Sequence, residues 1–285
     1  MKKVLIAGAM MVAISACTRG ETKEQNTDDA AKTVVVVNDV TVRTRDFVFL
    51  DLPDTIPSGA TNIRLLNEGP DLHHVWLVRL EEGKTVADLM QAMGTTHGAL
   101  PAWAVDVGGP NTPVPGESTA ATLDLEAGRY ALICVIPAKD GVPHVMKGMV
   151  RELTVVPNKT PAPLPKADIV LTLKDYSFEF DKPVTRGVQT IRVENAAQQS
   201  HEVVLLQLQP GKKVQDMLAW FSNGQAGPPP GKPIGGTTGF AQGEVNMITH
   251  DFAPGNYGMI CFVPDAKDGK AHVAHGMVSE FTVTE

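Results

Sequence analysis

Cysteine is scarce: three residues in 285, at positions 17, 134 and 261, too few for a disulfide-built scaffold. Cations are not in excess either. Lys and Arg number 25 against 32 Asp and Glu, a formal charge of −7, and no basic cluster offers the footprint of a counterion-releasing nucleic-acid binder. Beyond the first residues no apolar stretch is long enough to span a bilayer. No Gly-x-Ser-x-Gly elbow is present. The glycine pairs 108–109 and 235–236 lack the following Lys-Ser/Thr of a phosphate cradle, and the carboxylates show no pairing by spacing. What remains is an ordinary globular composition, 43% hydrophobic and 20% charged, long enough for two domains of about 100–200 residues each.

The chain opens on Met1-Lys2-Lys3, an apolar run from Val4 to Ile14, and then Ser15-Ala16-Cys17. This is the pattern of a signal peptide over residues 1–17. Its ending, Ile14-Ser15-Ala16-Cys17, resembles the lipobox of bacterial lipoproteins, which implies cleavage before Cys17 and acylation of its thiol. Residues 18–32 are almost wholly polar and cannot bury enough surface to fold. They read as a flexible tether. The expected location is therefore the bacterial cell envelope, with a lipid anchor in the membrane and the body facing the periplasm or the cell exterior.

Shifted against itself by about 128 residues, the chain repeats. Gly59 to Asn67 aligns with Gly187 to Asn195, His73-x-Val75 with His201-x-Val203, and Gly83-Lys84-x-Val86-x-Asp88 with Gly211-Lys212-x-Val214-x-Asp216. After a one-residue slip, Gly108-Gly109 meets Gly235-Gly236, and Gly128-x-Tyr130-x-x-Ile133-Cys134 meets Gly255-x-Tyr257-x-x-Ile260-Cys261. His144-Val145 and Gly148-Met149-Val150 then meet His272-Val273 and Gly276-Met277-Val278. A proline-rich segment, residues 158–166, separates a first domain over 33–157 from a second over 167–285.

Within each copy the runs are short, rich in Val, Ile, Thr, Phe and Tyr, and bounded by Gly, Pro and Asn. That pattern predicts an all-β fold of two tandem Greek-key sandwiches, with strands such as Val42–Leu50, His73–Leu80 and Tyr130–Ile136 in the first. One stretch per copy has helical spacing instead, Val86–Met93 and Val214–Phe221. Each is followed by a Gly/Pro-rich segment, 94–116 and 223–243, which reads as a long loop.

Each copy carries a His on a strand, a Cys ending a later strand, then a His and, five residues on, a Met. Imidazoles with a thiolate and a weak thioether suit both oxidation states of copper with little rearrangement, which is the electron-transfer arrangement. Here the sequence resembles the cupredoxins, the plastocyanin-like blue copper proteins, across both copies. The resemblance is carried by Gly128, Tyr130, Cys134, His144, Gly148, Met149 and Val150, again by Gly255, Tyr257, Cys261, His272, Gly276, Met277 and Val278, and by His73 after Asn67 and His201 after Asn195. It implies one copper site from His73, Cys134, His144 and Met149, and another from His201, Cys261, His272 and Met277. A redox or copper-donor protein is the implied partner.

The family places only a few residues between the Cys and the second His, whereas nine intervene in the first copy and ten in the second. Two outcomes are open: an Asp-Gly turn in each loop returns the His to the metal, or the His is left outside. His275 could supplement the second site, and His74 should face away from His73. Two-domain relatives with a catalytic copper carry a His immediately before the Cys. Ile133 and Ile260 stand there, so the resemblance implies a protein that is not an enzyme. The alternative reading is a metal-free cupredoxin-fold module for protein binding or envelope assembly.

Overall fold

The computed structural model describes Met1 and residues 37–95, 99–224 and 226–285. The expected signal peptide after Met1, Cys17 and the expected tether lie outside the described residues. In the first half the strands are β1 (Asn38–Arg45), β2 (Val48–Leu50), β3 (Thr55–Pro57), β4 (Gly59–Asn67) and β5 (Trp76–Leu80). Helix α1 (Val86–Thr95) follows, then β6 (Ala104–Gly108), β7 (Ser118–Leu125), β8 (Gly128–Ile133) and β9 (Val150–Val156). The second half repeats the order: β10 (Ile169–Lys174), β11 (Ser177–Phe180), β12 (Gly187–Asn195), β13 (His201–Leu208), α2 (Val214–Ser222), β14 (Gly231–Phe240), β15 (Val245–Phe252), β16 (Gly255–Ile260) and β17 (Val278–Val283).

Alternation makes the outer strands: on β10, Ile169, Leu171 and Leu173 point inward between half-buried or exposed neighbours. Burial on both faces makes the central ones, as on β13, where Val203 to Leu206 are all buried. Tyr130 and Tyr257 sit wholly inside with their hydroxyls donating to the carbonyls of Glu126 and Ala253, four residues upstream in each copy. Each helix starts where an Asp accepts from the backbone three residues back, Asp88 from Thr85 and Asp216 from Lys213. Leu89 and Met93 of α1, and Val214 and Met217 of α2, cover the outer face of the β5/β8 and β13/β16 pairs.

The all-β double sandwich matches the expectation, but the halves are fused more closely than a tandem pair need be. One sheet runs β11-β10-β12-β15-β7-β4-β1-β2 and the other β17-β16-β13-β14-β6-β5-β8-β9-β3, so both sheets continue from one half into the other. At each junction a strand pairs antiparallel with its own counterpart, β15 with β7 and β14 with β6. Pro110 bridges Thr237, its equivalent in the repeat. A local two-fold axis therefore passes between these two residues. One hydrophobic core is continuous through both halves.

The strands β6 and β14 occupy the segments expected to be long loops. Their Gly and Pro content hides them, yet it is functional. Gly109 and Gly236 hold φ of 137° and 103°, and a Cβ on them would come 2.2 Å from the Val75 carbonyl oxygen and 1.9 Å from that of Val203. Asn246, fully buried on β15, completes the junction by accepting from the Gly109 amide and the Thr237 hydroxyl and donating to the Val107 carbonyl. Gly236→Ala should therefore lower stability by about 3 kcal/mol or more, through strain and a backbone clash. Denaturant unfolding checks this, with an unchanged midpoint as the contrary result.

Candidate metal centre

The first His of each copy is placed by an asparagine. Asn67 accepts from the Gly69 amide and donates to the carbonyls of Asp71 and Pro113, folding the turn that delivers His73 just ahead of β5. Asn195 does the same through Ala197, Gln199 and Phe240, delivering His201 as the first residue of β13. The Cys follows directly on β8 or β16. Its amide donates to the Met149 or Met277 carbonyl, and its own carbonyl accepts from Val145 or Val273.

The long loops resolve in favour of return. In the first copy Pro137 bridges Pro143, and the Val142 amide donates to the Asp140 side chain beside Gly141, so the extra residues form a small hairpin. In the second, Pro264 bridges Ala271 around Asp268-Gly269. The chain re-enters at 3₁₀ turns, His144–Lys147 and His272–His275, each closed by a left-handed glycine, Gly148 at φ 99° and Gly276 at φ 91°. The amides of Met149 and Met277 then donate back to the carbonyls of His144 and His272.

The result is two matched clusters. Donor atoms of His73, Cys134 and His144 all lie within 4.8 Å of one another, as do those of His201, Cys261 and His272. All six residues are fully buried. His144 Nδ1 stands 3.5 Å from Cys134 Sγ, and His272 Nδ1 and His201 Nδ1 stand 3.3 and 3.9 Å from Cys261 Sγ. Met149 and Met277 are fully buried in the same core as the thiols. Neither Cys is in a disulfide. His275 lies outside the second cluster, hydrogen-bonded to Asp268 and tilted over Tyr176. His74 does not join the first. Its Nε2 accepts from the Val135 amide.

Burial sets the electrostatics. It pushes the Cys134 thiol up to about 12 and the Cys261 thiol higher still, and pulls His73 and His272 down to about 4, with His144 and His201 also lowered. Without metal the clusters hold neutral thiols and neutral imidazoles. Among the described residues five buried side-chain atoms lack a hydrogen-bond partner, and four are nitrogens of these imidazoles: both of His73 and the Nε2 atoms of His144 and His272. Leaving both nitrogens of buried His73 unpartnered costs free energy unless a ligand takes a lone pair, while His144 and His272 turn Nδ1 toward the thiol. Imidazole and thiolate donors with a buried thioether at hand fit copper, whose soft and borderline character they match.

The surroundings include residues that motif reading passed over. Phe47 and Tyr176, at the tips of the β1–β2 and β10–β11 hairpins, adopt left-handed φ of 61° and 64°. Each sets its ring edge-on to the second His, 5.0 Å from His144 and 5.6 Å from His272. Strained backbone of this kind persists where the surroundings over-determine it. Beside Tyr176, Asp175 lies 3.2 Å from His201 Nε2, whereas the equivalent Asp46 is 3.9 Å from His73 Nε2. An Asp-aromatic pair at matched places in both copies was the available signal.

No family model matches the chain, and no curated protein matches it. Among solved structures it is similar to auracyanin A, a "blue" copper protein from the green thermophilic photosynthetic bacterium Chloroflexus aurantiacus, at 20% identity over 42% of this chain and 100% of that one, with a TM-score of 0.29. It is similar also to a multicopper oxidase, at 14% identity over 87% and 89% of the two chains and a TM-score of 0.26. A copper nitrite reductase from Nitrosomonas europaea matches at 13% identity over 88% and 95%, TM-score 0.26. These structures correct the expectation of a protein without enzymatic activity. Oxidases and nitrite reductases, which are enzymes, stand among the structures this chain is similar to, beside auracyanins. The double sandwich and the two buried His-Cys-His groups, rather than likenesses this slight, carry the conclusion that the protein is cupredoxin-like, with copper as its cofactor.

Proposed function

We propose that the protein is an envelope-anchored copper protein that carries electrons through two centres, one held by His73, Cys134, His144 and Met149 and one by His201, Cys261, His272 and Met277. The observation that supports this most is the pair of dry clusters in which imidazole Nδ1 atoms face a thiol sulfur. Bound copper would supply the one-electron couple. The chain's own contribution is rigidity: every donor sits on hydrogen-bonded backbone, so little would have to move between oxidation states. Phe47 and Tyr176, with the buried methionines, keep water from the donors. The lipobox-like Ile14-Ser15-Ala16-Cys17 supports attachment to a bacterial membrane through lipid. Among the described residues no helix is long and apolar enough to cross one. A redox or copper-donor protein would be the partner met there.

The direct test is copper addition to the full chain followed by removal of excess. Two coppers should be retained with an intense visible thiolate-to-copper band. Cys134→Ala or Cys261→Ala should each lose one copper, and the double variant all colour. No retained copper in either oxidation state would refute the reading.

Uptake should depend on pH in a fixed direction. Each thiol is protonated until metal binds, so each site releases a proton, and affinity should fall about tenfold per unit of pH decrease above the imidazole range. Below about pH 4, where His73 and His272 protonate, it should fall more steeply. Competition titrations against a chelator at several pH values measure the slope.

The two centres should also differ. Asp175, held ionised by Gln199 and His201, accepts only, so His201 carries its proton on Nε2 and turns the Nδ1 lone pair toward Cys261. Carboxylate support of this kind raises ligand basicity and favours the cupric state. The second centre should therefore have the lower reduction potential, and Asp175→Asn should raise it without moving the first, as read by spectroelectrochemical titration.

A further inference from the structure

The backbone between the clusters is not a neutral partition. In the first half the amide of Val135, the residue bonded to Cys134, donates to His74 Nε2 at 3.0 Å. The amide after His74, of Val75, donates to the Pro110 carbonyl at 3.1 Å. Pro110 stands on the local two-fold axis, and the residue after it, Asn111, reaches across. Its Nδ2 donates to Glu202 Oε2 at 3.1 Å in the second half. The Glu202 amide in turn donates to Cys261 Sγ at 3.4 Å, while its Oε1 accepts from the Phe262 amide, immediately beyond that cysteine, at 2.8 Å. One thiol is thus joined to the other by covalent bonds and hydrogen bonds alone.

Symmetry does not require this connection. The repeat places Thr238 opposite Asn111 and His74 opposite Glu202, yet Thr238 spends its hydroxyl on the Val75 and Gly109 carbonyls. His74 turns to the Val135 amide. Among the described residues it is the Asn111–Glu202 pair that crosses from one half to the residue touching the other half's sulfur. Both side chains are buried, Asn111 at 1% exposure. A carboxyl placed there without a cation is expensive, which a merely architectural contact between two β-strands would not need.

Resting on the function proposed above, we infer that Asn111 and Glu202 bridge the two centres, so that an electron held at the second is passed inside the chain to the first. One electron leaves the reduced second centre and reduces the oxidised first. No bond is made or broken, no proton is transferred, and no further reactant is needed. Electron tunnelling is favoured through bonds over gaps, and the hydrogen-bonded route spares the electron a jump across the roughly 14 Å that three strand spacings set between β5 and β13. Asn111 and Glu202 act as bridging residues and hold no metal themselves.

The test uses the full chain loaded with two coppers. A flash-generated organic radical delivers less than one electron per molecule, and the two visible bands are followed, assigned beforehand with Cys134→Ser and Cys261→Ser. In the unmodified chain the first band should bleach as the second recovers, at a rate independent of protein concentration. Asn111→Leu, which removes the donor, should slow this phase about tenfold or more, because the coupling runs through that contact. Asn111→Thr, which installs the counterpart from the other half and is the milder change, should slow it too. Band positions and both potentials should stay as in the unmodified protein, which separates a bridge from a structural prop. Unchanged rates in both variants, or no internal phase in the unmodified chain, would overturn the bridge. Absence of any visible band in the copper-loaded chain would overturn the electron-transfer reading beneath it.

Discussion

Antiparallel pairing of a strand with its own counterpart, at two places, is the constraint from which the rest of the molecule follows. Because β6 meets β14 and β7 meets β15, the sheets cannot end at the boundary between copies, and the core must run through. Backbones approach there closely enough that side chains are excluded at Gly109 and Gly236. Asn246 satisfies the polar groups that this crowding buries. The same pairing sets β13, which opens on His201, three strands from β5, which follows His73, and so decides how the two clusters stand to each other.

Around each centre, backbone hydrogen bonding solves a problem that side chains alone would not. Neutral imidazoles and a neutral thiol in a dry pocket have no reason to converge. They converge because Asn67 and Asn195 shape one loop, because the Cys and Met strands pair, and because a glycine-capped 3₁₀ turn hooks the second His back to the sulfur. The cost is carried as raised thiol pKa values, a cost that metal binding offsets by taking the thiolate.

Much of this was legible in the residues, for a physical reason. Metal-binding side chains tolerate little substitution in kind, and the recurrence of His, Cys, His and Met at matched places in both copies, while neighbours such as Lys147 and His275 diverge, was the mark of a candidate site. Strands with alternating burial, such as β4 and β10, declare themselves by period. β6 and β14 did not, since glycines and prolines crowd the segments that hold them, within β14 itself and just after β6 at Gly109 and Pro110. The aromatic residues at the hairpin tips were hidden for a different reason: their meaning lies in where a two-residue turn aims a ring. Nor could spacing decide whether nine or ten residues would carry a His outward or fold aside. The Pro137–Pro143 and Pro264–Ala271 bridges decide it.

The contact of Pro110 with Thr237 has a meaning for origin. A surface in which each position meets its own equivalent is what two identical chains make when they associate about a two-fold axis. The protein thus has the form of a homodimer made into one polypeptide. Once joined, the halves no longer had to be alike, and each could change alone on either side of a shared seam. The pairs Asn111 with Thr238, His74 with Glu202 and Phe47 with Tyr176 are where that freedom was used. A symmetric pair of subunits would have had to carry every such change twice, and so could not have given its two pockets different neighbours.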